Sequence, residues 1–157
     1  MLSLSAYRSL FFPLGTDDLM EAQIQQISPA ALAYIGDVVY ELHIRMWYLM
    51  PPKQSRLYHQ NVVAQVRAEQ QAHYLQVLEP KLTEEEQRIV KRGRNAATKL
   101  KPKRLSPTIY QQATSFETLI GYLYLTNPER LTELLGCLPI ATSESNALLQ
   151  DHCRDNL

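Results

Sequence analysis

The chain has 157 residues, 45% of them hydrophobic, with only five glycines and a formal net charge of zero. That length suits one domain with a sizeable core, and no apolar run approaches the ~18 residues of a membrane span. Cys137 and Cys153 have neither metal-ligand spacing nor the density of a disulfide scaffold, which fits a reducing cytosol and a cytoplasmic protein. Few stretches alternate with period two, so an all-α fold is expected.

In chain order, residues 1–27 form an N-terminal arm. Arg8 and the lack of acids up to Thr16 faintly resemble a targeting peptide, but Leu10-Phe11-Phe12 is too short an apolar core for a secretory signal. Ser28-Pro29 is an N-cap with proline at the first helical position, and the helix runs to about Met50, where Pro51-Pro52 stop it. Leu32, Ile35, Val39, Leu42 and Met46 recur at helical spacing and are expected to face the core. A second helix is expected from Ser55 to Leu78, burying Leu57, Val62, Val66 and Leu75. Thr83 to Glu86 is a capping box that opens a helix to about Arg94. An exposed loop then spans Ala96 to Leu105. Ser106-Pro107 repeats the cap-plus-proline signature for a helix ending near Asn127-Pro128, and a last helix reaches about Leu138. Residues 139–157 read as a polar tail.

Two segments of this plan carry chemistry. Tyr34-Ile35-Gly36-Asp37-Val38-Val39-Tyr40-Glu41 and Phe116-Glu117-Thr118-Leu119-Ile120-Gly121 each set a carboxylate and a glycine into an apolar helix. An ionised carboxylate in apolar surroundings is costly unless compensated, and a mid-helix glycine costs about 1 kcal/mol against alanine. Helices meeting at Gly36 and Gly121 would bring their backbones close and aim Asp37 and Glu117 at one spot, which suggests a divalent-cation site. Glu41 lies one turn from Asp37 and is expected in a salt bridge or behind the site. Tyr122 and Tyr124 are expected in the core, and the four histidines form no metal-like cluster.

The zero net charge hides an asymmetry. Lys91, Arg92, Arg94, Lys99, Lys101, Lys103 and Arg104 fall within fourteen residues that contain no acid, while the other 143 residues carry nine basic and sixteen acidic side chains. A concentrated basic patch on an otherwise acidic chain points to a polyanionic partner.

The blocks Ala31 to Glu41, Val90 to Ala96 and Thr114 to Leu125 resemble, in order and spacing, the motifs of the ribonuclease III family. The closer resemblance is to its Mini-III branch of single-domain enzymes, and it covers residues 28–138, read here as the nuclease domain. It implies an all-helical two-fold homodimer that cuts double-stranded RNA with Mg²⁺ and trims precursor 23S ribosomal RNA. Asp37 and Glu117 would be the catalytic metal ligands and the seven basic residues the RNA contacts. Tyr34, otherwise an ordinary core aromatic, would be a dimer contact. Only thirty residues follow Asn127, so RNA grip is expected from the nuclease domain itself. Larger family members carry further acids where this chain has Ala33 and Thr114. That reduction keeps a second reading open, a catalytically silent relative that binds structured RNA.

Overall fold

The computed structural model describes residues 21–97 and 106–141. The expected arm before residue 21, the tail beyond residue 141 and most of the basic loop, including Lys99, Lys101, Lys103 and Arg104, lie outside the described residues. Within them the chain forms α1 (Glu21–Gln26), α2 (Pro29–Leu49), α3 (Ser55–Val66), α4 (Ala68–Leu78), a 3₁₀ turn (Glu79–Lys81), α5 (Glu84–Ala97), α6 (Pro107–Thr126) and α7 (Pro128–Gly136). All regular structure there is helical.

The start signals work largely as expected. Ser28 Oγ accepts from the Ala31 N–H at 3.2 Å, and Thr83 and Glu86 close a reciprocal capping box with bonds of 2.8 and 3.3 Å. Asn127 Oδ1 accepts from the Arg130 N–H at 3.0 Å and so separates α6 from α7. Ser106 precedes Pro107 as expected but makes no side-chain cap.

Helix α6 is the centre of the fold. Its residues Thr118 to Leu123 are all buried, so this stretch is covered all round, as expected for a helix apolar on every face. Helices α2, α4 and α5 pack on it, with α1 and α7 closing the ends. Phe116 and Tyr40 meet edge to face, with ring centroids 4.9 Å apart. Glu86 is only 4% exposed and is held by Arg130, which donates from Nε at 2.9 Å and from a terminal nitrogen at 3.2 Å, and binds the Lys81 carbonyl at 2.7 Å. Burial alone would raise the Glu86 carboxyl. The bonds from Arg130 and Thr83 outweigh it and hold that carboxyl below its ordinary range.

Two expectations need correction. The core stripe of α2 is Leu32, Gly36, Tyr40, Ile44 and Tyr48, whereas Ile35, Leu42 and Met46 face outward. The helix is apolar around most of its circumference, so periodicity alone does not choose its buried side. Gly36 does, because only that face lets the backbone of α6 approach. The helix expected over residues 55–78 breaks at Arg67, which is extended at φ −66°, ψ 152°. Tertiary bonds make the break tolerable: the Tyr40 hydroxyl donates to the Gln65 carbonyl at 3.2 Å, and the Tyr74 hydroxyl donates to the Gln65 side chain. Leu57, expected inside, is exposed on α3.

At the α2–α6 crossing, a Cβ on Gly36 would sit 1.8 Å from the Glu117 carbonyl oxygen, and one on Gly121 2.0 Å from that of Leu32. Both obstacles are backbone and cannot move aside. Gly36→Ala is therefore expected to lower the unfolding free energy by about 3 kcal/mol, the upper range for overpacking. Gly136→Ala, whose Cβ would meet nothing within 4 Å, should change stability by under ~1 kcal/mol and in the stabilising direction. Guanidinium denaturation of the two variants checks the contrast.

Candidate active site

The glycine crossing fixes where the two carboxylates go. Asp37 follows Gly36 on α2, and Glu117 precedes Gly121 by one turn on α6. Both open into one cavity of about 260 Å³, whose wall also includes Tyr34, Ala97, Tyr110 and Thr114. Ala33 lines it too, so Ala33 and Thr114 face the same space as Asp37 and Glu117. Gly93 on α5 lets that helix close the cavity side of α6: a Cβ there would lie 2.6 Å from the Thr118 hydroxyl oxygen. Thr118 itself donates to the Thr114 carbonyl at 2.7 Å, which satisfies its hydroxyl inside the helix.

Among the described residues the pair has no compensating cation: no lysine or arginine there forms an ion pair with Asp37 or Glu117. The Glu117 carboxyl is pushed up to about 7, first by burial and then by the charge of Asp37, with the carboxamide of Gln71 pulling the other way. Asp37, nearer the rim, is raised by partial burial and by the charge of Glu41. Glu41 accepts from Arg45 Nε at 2.9 Å, which is the salt bridge expected for it. No group of three or more metal-ligating side chains occurs among the described residues. Two carboxylates without a counter-cation, next to open space, nevertheless suit Mg²⁺, which retains several waters and often takes one or two protein oxygens.

The remaining expected residues divide. Tyr34 is 77% exposed and is no core aromatic. Tyr122 is buried, with its hydroxyl donating to Glu85 at 2.6 Å, and is a core residue as expected. Of the basic cluster, Lys91 is exposed on α5. Arg94 meets Glu79 at 3.4 Å. Arg92 turns back to the carbonyls of Gln25 and Ile27 at 3.2 and 3.0 Å, where it closes the C-terminal end of α1. Sequence reasoning missed Gln71 and Tyr110. The signal for Gln71 was available: it is a carboxamide in register with Ala72, Leu75 and Leu78 on the buried face of α4.

Comparison with known proteins identifies the family. The ribonuclease III domain family matches residues 30–128. A Mini-ribonuclease 3 of a Synechococcus strain is 52% identical over 126 residues, 80% of this chain and 91% of that protein. One from Thermosynechococcus vestitus is 56% identical over 113 residues, 72% of this chain and 74% of its own. A crystal structure of a Fusobacterium nucleatum protein, 31% identical, superposes with a TM-score of 0.65 over 70% of this chain and 90% of that one. The chain belongs to the ribonuclease III domain family and is an endoribonuclease. The silent RNA-binding reading is set aside.

The raised Glu117 carboxyl has a measurable consequence in metal-free protein. The native state holds that proton more tightly than the unfolded chain, so stability falls as pH rises from about 4.5 through about 7. Glu117→Gln lacks the titration. Its melting temperature should match wild type below that window, rise above wild type across it, and keep a constant lead at higher pH. Parallel melting curves at every pH would show that Glu117 titrates normally.

Proposed function

We propose that this endoribonuclease cuts double-stranded RNA with Mg²⁺ held by Asp37 and Glu117, and that its substrate is precursor 23S ribosomal RNA in the cytoplasm. The observation that carries the reading is the uncompensated carboxylate pair in one cavity, on a chain of this family. When bound, Mg²⁺ supplies Lewis-acid polarisation of a phosphate, a more acidic water and charge relief at the leaving oxygen. The protein's part is to aim the two carboxylates at one point and to grip the duplex. Ala33 and Thr114 leave room in the cavity where further acids would add negative charge facing the phosphate backbone.

The grip is assigned to Lys91 and Arg94 with Lys99, Lys101, Lys103 and Arg104, all within fourteen residues of chain leading from α5 toward α6. Arg92 belongs to that cluster by sequence, but its bonds to α1 favour a scaffold role beside any phosphate contact. An A-form duplex hides its bases in a deep, narrow groove, so recognition through phosphates, 2′-hydroxyls and shape is expected. The resemblance to Mini-III enzymes supports the ribosomal substrate.

Assembly as a two-fold homodimer is supported by the outer face of α2. Tyr34, Val38, Leu42 and Met46, four residues apart in turn and all exposed, form an apolar strip that borders the cavity at Tyr34. Such strips usually mark contact surfaces, and self-complementary pairing is the commonest solution. Sedimentation should give a mass near twice 18.0 kDa, and Val38→Glu should shift it to the monomer with little loss of helical content. A wild-type monomer at micromolar concentration would remove the dimer.

The chemistry is tested with labelled duplex RNA in Mg²⁺ or in EDTA. Cleavage should require the metal. Asp37→Asn and Glu117→Gln should each lower kcat by about two orders of magnitude or more while duplex binding persists, because neither touches the basic segment. Near wild-type cleavage by Asp37→Asn would place the site elsewhere.

A further inference from the structure

Tyr110 shares the wall of the cavity with Asp37 and Glu117. It is half-buried in the first turn of α6, where its N–H donates to the Ser106 carbonyl at 3.0 Å. Tyr110, Thr114 and Glu117 follow one another at spacings of four and three, so they lie on one face of that helix. Ala30 and Ala33 of α2 line the same space with methyl groups only, which leaves it open. Tyrosine hydroxyls elsewhere in the fold are used internally. Tyr48 and Tyr58 donate to the carbonyls of Ala141 and Arg45, each at 2.8 Å, Tyr122 donates to Glu85 at 2.6 Å, and Tyr40 and Tyr74 both donate to Gln65. The Tyr110 hydroxyl bonds to none of the described residues. It is a donor set into the wall of the reaction cavity and not engaged there by the fold.

We propose that Tyr110 is a substrate-positioning residue: its hydroxyl donates to a phosphate oxygen of the RNA strand beside the scissile bond. The proposal rests on the reading of this cavity as the cleavage site. Tyr110 precedes Glu117 by seven residues, about 10 Å along the helix axis, so it meets the strand next to the phosphate that the carboxylates face and not at it. A phenol donates a hydrogen bond without bringing a charge. A lysine or arginine in the same wall would be drawn to Asp37 or Glu117, whereas a phenol leaves both carboxylates free for a cation. A hydrogen bond to an ionised oxygen is about twice as strong as one between neutral groups. Misplacing a reacting group by about 1 Å can cost a hundredfold in rate, so a contact one nucleotide away acts on kcat as well as on KM.

The test uses the full chain with short labelled duplex RNA in Mg²⁺. Tyr110→Phe removes one oxygen and keeps the ring. It should lower kcat/KM about tenfold, with the melting temperature unchanged, because the hydroxyl has no partner in the described fold to lose. Tyr110→Leu lacks the ring as well and should lose at least as much, so either folded variant decides. Duplexes carrying a single methylphosphonate, in which a methyl group replaces one charged phosphate oxygen, locate the contact when the change is moved through the phosphates flanking the cut. At the contacted phosphate wild type should lose about tenfold and Tyr110→Phe almost nothing further, since both changes remove the same bond. Wild-type kcat/KM in Tyr110→Phe, or losses that multiply at every phosphate tested, would overturn the proposal. Asp37→Asn separates the two levels. If it abolishes cleavage while Tyr110→Phe cuts as wild type does, the positioning role alone fails. If Asp37→Asn cleaves at the wild-type rate, the reading of the cavity fails and takes this proposal with it.

Discussion

The backbone-to-backbone contact between α2 and α6 is the constraint on which the rest depends. With 1.8 Å from a hypothetical Gly36 Cβ to the Glu117 carbonyl, no side chain fits between the helices at that level. The approach places Tyr40 against Phe116 one turn further along α2, and it sets Asp37 and Glu117 into the same cavity. A wider crossing would separate the carboxylates and open a channel into the core. The glycines cost intrinsic helix propensity, about 1 kcal/mol each, and the packing they permit must exceed that. Gly93 repeats the device where α5 meets α6, so the central helix is approached closely from two directions.

The molecule holds two glutamates in sheltered positions and treats them in opposite ways. Glu86 is almost fully buried, yet Arg130 and the capping bonds of Thr83 keep it ionised. Glu117 is sheltered too, and burial followed by the charge of Asp37, with only a neutral carboxamide pulling the other way, raises its carboxyl to about 7. Burial raises both, so burial alone does not distinguish the site. The distinction is compensation, which at Glu86 is supplied by one arginine and at Glu117 by no cation among the described residues. A stable fold tolerates such a defect where function uses it, and Glu117 is placed in a cavity, where a cation has access.

Much of this was legible in the sequence because it depends on local rules. Ser28-Pro29, the Thr83–Glu86 box and Pro51-Pro52 mark helix ends through backbone geometry that neighbours enforce. The glycine–carboxylate pairs announced the crossing because both residue types are costly in an apolar helix. What escaped depends on tertiary partners. Nothing between Val66 and Ala68 is a helix breaker, and the turn at Arg67 is held where Tyr40, from another helix, and Tyr74, beyond the turn, both bond to Gln65. The buried side of α2 escaped for a related reason: a helix apolar nearly all round has no preferred face until another backbone selects one.

Helix α2 serves two surfaces at once, and Asp37 stands between them. Its inner stripe, Leu32 through Tyr48 at four-residue intervals, is fixed by the core, while Tyr34 and Val38 flank Asp37 in sequence and face outward. A helix turns 100° per residue, so a carboxylate between an inward glycine and an outward valine must lie at the edge where core meets apolar surface. That position gives Asp37 access to an external substrate, whereas Glu117 is more sheltered inside. It also makes the proposed interface and the proposed metal site neighbours through Tyr34, which belongs to both. A second copy seated on the outer face of α2 would wall one side of the cavity and reduce the water around Asp37. The field of the acid pair would then strengthen as assembly proceeds, so that the affinity of the site for a divalent cation and the self-association of the chain are linked through a single helix.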